Sequence, residues 1–270
     1  MNKSNLKITM LGTGNAAVTR LYNTCFVLSE NDEYFMIDAG GGNQILGILE
    51  EHGIALTQVH DLFITHSHSD HILGVVWIVR MIGQLMNKNQ YDGVLKIYAN
   101  EETLEAFEAI CKYVLASKIT KLFGDRIEFI KLRDGDSHTI LERKITFFDI
   151  RSTKLSQFAF EIKEEKLLFC GDEPLKEELF HKLRDVDYLL HEAFCMHSEC
   201  DKFKPYEKHH STVKDACALA ERFKIKNLIL MHTEDSHSED KKKLYSAEGK
   251  EYYSGNLIIP CDGESITVEH

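Results

Sequence analysis

Short apolar runs with alternating polar positions recur along the whole chain and predict β-strands. LKITML at 6–11 alternates and ends in a glycine turn, and the runs at 24–28 and 33–38 are separated only by polar residues, as in a hairpin. Longer apolar or amphipathic runs predict helices, of which the main ones lie at 72–86, 101–115, 174–183 and 212–223. Further strands are predicted at 61–66, 94–99, 126–132, 144–150, 158–163, 166–171, 186–192, 227–232, 257–260 and 265–269. Strands followed by helices in both halves predict an α/β fold, with two sheets packed together and helices outside.

The chain shows no boundary between domains. It contains only 3 prolines, and no low-complexity linker interrupts the pattern. We therefore predict a single domain over residues 1–270.

Composition and charge narrow the functional classes. The net charge of −11 argues against a nonspecific nucleic-acid binder, which needs a basic surface to displace counterions from phosphates. The tight basic run at 241–243 is interpreted as the solvated start of a helix. No apolar run is long enough for a membrane span, and the start lacks the features of a secretory signal. The 7 cysteines show no pairing pattern, so we expect reduced thiols and a cytosolic protein.

The stretch THSHSDHILG at 65–74 concentrates four potential metal ligands behind an apolar strand. His66, His68, Asp70 and His71 fall within six positions, and imidazole and carboxylate groups are the usual ligands of zinc and similar ions. Since residues 66, 68 and 70 cannot share one helix face, we expect this segment to be a loop.

Two further ligands are predicted at the ends of other apolar strands. Asp172 follows KLLFCG and His232 follows NLILM, and the carboxyl ends of strands are where open α/β sheets place their chemistry. An aspartate between two ions bridges them in the two-metal sites that activate water for hydrolysis.

These motifs, taken in order, resemble the metallo-β-lactamase superfamily and, within it, the ribonuclease Z-like branch. The resemblance covers nearly the full length. It rests on the opening LGTGNAAVTRLYNTCFVL with FMIDAGGGNQIL, on HSHSDH at 66–71, FCGDE at 169–173, HEAF at 191–194, HHST at 209–212 and LILMHTED at 228–235.

The resemblance implies a four-layered αβ/βα sandwich with metal ions at one edge, between the sheets. The ions are expected to be zinc, one or two of them, with manganese or iron as alternatives. The first ion would take His66, His68 and Asp172, and the second would take Asp70, His71, Asp172 and His232.

The resemblance also implies catalytic roles for side chains around the ions. Asp70 would hold the attacking water and act as general base. Glu192 and His210 would relay a proton to the leaving group. Asp38 would orient a ligand histidine through a hydrogen bond.

One ligand of the family pattern is missing. The family places another histidine on the first ion, in a slot that falls here at Arg151, Ser152 or Thr153. Arginine has no lone pair for a metal. Either the first ion is held weakly by the remaining ligands, or Arg151 binds negative charge on the substrate and leaves a single ion. We favour retained metal binding with reduced occupancy of the first site.

Two other segments bear on the substrate and on the site. The basic arm with which ribonuclease Z binds transfer RNA precursors is absent, since residues 154–171 are predicted to form only two paired strands. The segment 195–210 contains Cys195, His197 and Cys200. It forms either a separate zinc site or a loop over the active site that presents His210, and we favour the loop.

The sequence therefore predicts a metal-dependent hydrolase, a phosphodiesterase of the ribonuclease Z-like type in which metal-activated water attacks the phosphorus. Its substrate would be a small or single-stranded phosphodiester rather than a transfer RNA precursor. The resemblance also implies that the protein forms a homodimer. Two alternatives stay open. One is hydrolysis of another bond, such as a lactone, thioester or sulfate ester, and the other is a non-catalytic binding or sensing protein with a degenerate first metal site.

Overall fold

The computed structural model describes residues 5–269, in which two seven-stranded mixed sheets are flanked by helices. Strands and helices are numbered along the chain. The first sheet has the order β14-β1-β2-β3-β4-β5-β6 and consists of β1 (Lys7–Gly12), β2 (Cys25–Glu30), β3 (Glu33–Ile37), β4 (Val59–Phe63), β5 (Leu95–Ala99), β6 (Ile127–Lys131) and β14 (Ser265–Thr267). The second has the order β13-β12-β11-β10-β9-β8-β7 and consists of β7 (Ser137–Ile140), β8 (Arg143–Asp149), β9 (Phe158–Ile162), β10 (Leu167–Phe169), β11 (Tyr188–Glu192), β12 (Asn227–Met231) and β13 (Asn256–Ile258).

Seven α-helices are distributed over the described residues. They are α1 (Gln44–Glu51), α2 (Ser69–Asn87), α3 (Glu101–Val114), α4 (Ser117–Thr120), α5 (Cys200–Phe203), α6 (Val213–Phe223) and α7 (Lys241–Gly249). Short 3₁₀ helices occupy 56–58, 163–165, 177–183, 197–199 and 206–208. No helix within residues 5–269 has both the length and the apolar composition that crossing a bilayer requires.

The alternation of side chains along β2 shows how the layers are built. Phe26 and Leu28 point into the core shared by the two sheets, whereas Val27, between them, packs in a second core with α1 and α2. Phe26 meets Phe169 of the opposite sheet edge-on, with ring centroids 5.2 Å apart. On the far side, α6 and α7 cover the second sheet. The predicted four-layered αβ/βα sandwich is therefore confirmed.

Parallel strands in each sheet bring their carboxyl ends to one edge of the sandwich. In the first sheet β3, β4 and β5 run parallel, and in the second β10, β11 and β12 do so. The segments that follow these strands therefore emerge at a common edge. This edge carries HSHSDH after β4, Asp172 after β10 and His232 after β12.

Two predictions about segments outside the metal-ligand motif need correction. The stretch 174–183 forms a 3₁₀ helix over Glu177–Leu183, with Pro174 outside it because residue 176 is extended. The basic run at 241–243 does begin α7, but Lys241 is 2% exposed rather than solvated. Its ammonium is satisfied inside the protein, where Nζ donates to Oγ1 of Thr13 at 2.8 Å and to Oγ1 of Thr233 at 3.4 Å. Burial lowers the pKa of Lys241.

Candidate metal centre and active site

The HSHSDH motif is half loop and half helix. After β4 the chain stays irregular as far as His68, which is the N-cap of α2, and the helix begins at Ser69. The prediction of a loop is therefore wrong for Asp70 and His71, which lie in the first helical turn. A carboxylate in the first turn is favoured by the helix dipole, so Asp70 helps to start the helix that positions it.

Glycine at position 74 lets this helix approach the turn after β3. A Cβ atom on Gly74 would lie 1.8 Å from the carbonyl oxygen of Ala39, and the Gly74 N–H donates to the carbonyl of Gly40 at 2.8 Å. The His71 carbonyl in turn accepts from the Ala39 N–H at 3.2 Å. The start of α2 is thus fixed against the turn that carries Asp38.

Asp38 sets the tautomers of two histidines at once. Its Oδ2 lies 2.8 Å from Nδ1 of His71, so a neutral His71 ring would carry its proton on Nδ1 and have its lone pair on Nε2. The hydroxyl of Thr65 donates to the same oxygen at 2.8 Å, and Oγ1 of Thr65 lies 2.9 Å from Nδ1 of His66. Because that hydroxyl proton is engaged by Asp38, Oγ1 accepts from His66, whose Nε2 is also left with a lone pair. The predicted orienting role of Asp38 agrees with this network.

Three imidazole nitrogens converge on one carboxylate oxygen. Oδ2 of Asp172 lies 3.6 Å from Nε2 of His66, 3.5 Å from Nε2 of His71 and 3.6 Å from Nε2 of His232. Asp70 adds a second carboxylate, with Oδ2 3.3 Å from Nε2 of His71 and 3.7 Å from Nε2 of His232. Nδ1 of His68 lies 2.8 Å from Nε2 of His66.

The donor set fits a metal. Nε2 of His71 and both ring nitrogens of His232 are buried without a hydrogen-bond partner. Buried polar atoms are normally paired, and nitrogens with free lone pairs beside two carboxylates are the arrangement that divalent metal ions use. Ligand atoms lie within 4.8 Å of one another in three groups here: His66 with His71 and Asp172, Asp70 with His71 and His232, and Glu192 with His210 and His232.

The pKa shifts agree with a site that attracts cations. Burial lowers the pKa of His66 to about 3, so this imidazole is neutral at physiological pH. Burial acts in the same direction on His71, but the carboxylates of Asp70 and Asp38 outweigh it and raise the pKa of His71 well above its usual value. Without an ion, this negative charge attracts a proton to His71, and a metal ion competes for the same nitrogen.

Gln157 lies against the predicted metal ligands His66 and Asp172. Its side chain is 1% exposed, and its amide nitrogen donates to Oδ1 of Asp172 and lies 3.1 Å from Nδ1 of His66. Gly171, at φ +81°, turns the chain into Asp172, and a Cβ there would approach the Gln157 amide to 3.2 Å. The amide therefore holds Oδ1 of Asp172 and leaves Oδ2 facing the three imidazoles.

Arg151 is not brought into the site. Its guanidinium pairs with Asp134 at 2.9 Å and with Asp149 at 3.5 Å, and Arg151 lines a separate pocket rather than the metal cavity. Of the three candidates for the slot, Ser152 lines the metal cavity, where its hydroxyl donates to Glu173 at 2.7 Å. The cation at the cavity is Lys154, whose ammonium donates to the carbonyl of Lys208 at 2.5 Å.

Glu192 and His210 form a pair on the other side of the ligands. Glu192 ends β11 with 0% exposure, and its Oε2 lies 3.5 Å from Nδ1 of His210. The His210 ring stacks on Phe194, with centroids 5.0 Å apart, and lies 5.1 Å from the ring of His232. Burial opposes charge on His210, but Glu192 outweighs it and raises the pKa of His210 above its usual value.

The chain just after His210 is anchored in two ways. The backbone N–H of Ser211 donates to Glu192, and its hydroxyl donates to the Glu192 carbonyl at 3.0 Å. Thr212 then starts α6 with a capping box, in which its side chain and that of Asp215 each accept from the other's backbone N–H. The predicted loop presenting His210 therefore has a defined position at the cavity.

The cavity itself is small. Its volume is about 170 Å³, below the roughly 300–1,000 Å³ of pockets that enclose drug-sized ligands. Its lining consists of Ala16, His66, His68, Asp70, Ser152, Lys154, Leu155, Gln157, Asp172, Glu173, His210 and His232. It therefore has room for a phosphate-sized group and its nearest substituents.

Comparison with known proteins agrees with this geometry. The chain is similar to a ribonuclease Z of Bacteroides fragilis, with 23% identity over 86% of this chain and 89% of that protein. Its fold is similar to that of the metallo-β-lactamase fold protein YhfI from Bacillus subtilis, with a TM-score of 0.79, 16% identity and coverage of 98% of this chain and 100% of that one. It is also similar to a diphosphatase from the PhnP family, with a TM-score of 0.75, 17% identity and coverage of 98% and 97%.

These similarities and the cluster of histidine and aspartate side chains support a metal-dependent hydrolase with a ribonuclease Z-like metallo-β-lactamase fold. A family model gives a narrower grouping, because the model for the Anti-Pycsar protein Apyc1 matches residues 6–253. The chain thus belongs to the family of the Anti-Pycsar protein Apyc1, within the metallo-β-lactamase superfamily.

Proposed function

We propose that the chain is a metal-dependent phosphodiesterase that hydrolyses a small phosphodiester in this cavity. The observation that carries the proposal is the convergence of three imidazole nitrogens, 3.5–3.6 Å from one oxygen of Asp172, beside the Glu192–His210 pair. The first feature suits metal binding, and the second suits protonation of a leaving oxygen.

The residues that would hold the ions are those that the sequence predicts. His66, His68 and Asp172 would bind one ion, and Asp70, His71, Asp172 and His232 would bind the other. When bound, such ions lower the pKa of water and stabilise negative charge on a phosphoryl oxygen. We propose zinc as the native metal because the donors are mainly imidazoles.

The chain's own groups would then act at defined places. Asp70 orients the attacking water and accepts its proton. His210, kept protonated by Glu192 at Nδ1, donates the proton on its other ring nitrogen to the leaving oxygen. Lys154 supplies positive charge for a phosphate oxygen, in place of the Arg151 that the sequence suggested.

Size and charge support a small substrate. Residues 158–169 form only a hairpin, in which β9 and β10 pair antiparallel across a 3₁₀ turn, so no arm for a large RNA lies between Gln157 and Asp172. The net charge of −11 also disfavours a long polyanion. The homodimer, the single domain and the cytosolic location remain predictions from the sequence.

A substrate panel tests the proposal. The zinc-loaded protein is assayed with bis(p-nitrophenyl) phosphate, 3′,5′-cyclic mononucleotides, a single-stranded RNA, a transfer RNA precursor, a lactone and a thioester. We expect turnover of small phosphodiesters and little or none of the precursor. Turnover confined to the lactone or thioester would contradict the phosphodiesterase proposal, whereas efficient trimming of the precursor would contradict only the size argument.

Replacing Gln157 tests how the first ion is held. Gln157→Ala removes the donor that fixes Asp172, and we expect metal affinity to fall about 10–100-fold, the usual effect of losing a group that orients a ligand. Zinc affinity is measured by competition with a chromophoric chelator, and Gln90→Ala, at an exposed position, is the control. Unchanged affinity in Gln157→Ala would show that Asp172 needs no such support.

A further inference from the structure

A second group of potential metal ligands lies outside the cavity. Glu199, Glu234 and His237 offer ligand atoms that all lie within 4.8 Å of one another. Glu199 comes from the 3₁₀ helix His197–Glu199 in the segment before His210, whereas Glu234 and His237 follow β12 and His232. None of the three lines the metal cavity.

Glu234 is the unusual member of this group. It is 6% exposed, and its Oε1 is buried without a hydrogen-bond partner. The other oxygen, Oε2, accepts from the N–H of Ser236 at 2.7 Å. An unpaired oxygen on a buried carboxylate is costly unless a cation lies beside it.

The polar contacts within the cluster do not satisfy this oxygen. Nε2 of His237 lies 3.2 Å and 3.1 Å from the two oxygens of Glu199, and Nζ of Lys202 lies 3.4 Å from one of them. These contacts give Glu199 and His237 polar partners but leave Oε1 of Glu234 without one. A cation shared by all three side chains accounts for the whole group.

We propose that Glu199, Glu234 and His237 bind a divalent transition-metal ion that is separate from the ions of the cavity. Two carboxylates and one imidazole suit zinc or manganese, and a water would complete the coordination. Calcium and magnesium fit less well because they prefer sites made of oxygen ligands alone.

This ion would brace the segment that presents His210. The N–H of Glu234 donates to the carbonyl of Phe194 at 2.8 Å, and the Phe194 ring stacks on His210 with centroids 5.0 Å apart. Glu199 lies between Phe194 and His210 along the chain. A metal ion bound by both Glu199 and Glu234 would therefore hold the segment 195–210 against the end of β12.

Metal stoichiometry tests the proposal without relying on catalysis. Zinc per chain is measured by elemental analysis after equilibrium dialysis, for the wild type, Glu234→Gln, His237→Gln and the control His181→Gln, at an exposed histidine. We expect Glu234→Gln and His237→Gln to bind one ion fewer than the wild type and the control. Equal zinc content in all four proteins would overturn the proposal.

Two further measurements distinguish loss of this metal site from loss of the cavity ions and from misfolding of the variants. The substitutions are repeated in an Asp172→Asn background, where the cavity ions are weakened, and the zinc that remains should disappear with His237→Gln. Zinc should also raise the melting temperature of Asp172→Asn but not that of Asp172→Asn with His237→Gln. His237 is partly exposed, so that variant is expected to fold, which circular dichroism checks. A zinc-dependent rise that survives His237→Gln would contradict the proposal even if the phosphodiesterase proposal holds.

Discussion

Replacing Asp172 with asparagine is expected to remove most of the hydrolytic activity and to lower metal content. Oδ2 of Asp172 is the one oxygen shared by His66, His71 and His232, and an amide of the same shape supplies no charge there. Losing several kcal/mol of stabilisation of the transition-state charge corresponds to a fall in kcat of about 10³-fold or more. The measurement is kcat on bis(p-nitrophenyl) phosphate together with bound metal per chain.

A matched control distinguishes this loss from a general effect of Asp-to-Asn substitution. Asp185 is exposed and adopts φ 60°, a conformation that asparagine tolerates, so Asp185→Asn should keep full activity and metal content. If Asp172→Asn retained wild-type kcat and bound metal, Asp172 would not be a ligand, and the assignment of both ions to this cluster would be wrong.

Replacing His210 with glutamine is expected to have the second largest effect on rate. A positioned general acid contributes about 10²–10⁴-fold, and the loss should depend on the leaving group. It should be large for an alkoxide, as in a cyclic mononucleotide, and much smaller for p-nitrophenolate, which leaves without protonation. His209→Asn, at the exposed neighbouring position, is the control. Equal losses on both substrates would assign His210 to binding rather than to proton transfer.

The pH profile gives the role of Glu192. Burial opposes the charged form of His210, and the Glu192 carboxylate outweighs it, so the pKa of His210 is raised. A raised pKa keeps the acid protonated to higher pH. Glu192→Gln should therefore move the alkaline limb of the rate profile on a cyclic mononucleotide to lower pH. A limb that stays in place while kcat falls would point to a purely structural role for Glu192.

Much of the candidate site follows from the sequence because its ligands lie where apolar strands end. His66, Asp172 and His232 could be placed at one edge of the sandwich from that rule, and the structure brings them together. Asp38 could also be predicted, although its contact with Thr65, which fixes His66, depends on the packing of the turn after β3 against β4.

Other features of the site depend on contacts between distant residues, which no local sequence pattern predicts. Gln157 precedes β9 as an ordinary polar residue, and its contact with Asp172 forms where the chain makes a left-handed turn at Gly171. Arg151 and Lys154 are both cations in the same loop. Arg151 has φ 63°, and its guanidinium pairs with Asp134 and Asp149. Lys154, three residues later, lines the cavity instead. Charge alone could not choose between them.

The central claim is most directly tested by following hydrolysis and bound metal together while the metal is removed and returned. The protein is stripped with a chelator, zinc is added back in steps, and kcat on a small phosphodiester is plotted against zinc bound per chain. We predict no turnover by the stripped protein and recovery as the cavity fills, with no recovery in Asp172→Asn. Turnover that survives complete removal of metal, or a metal-filled protein that hydrolyses no phosphodiester, would contradict the account.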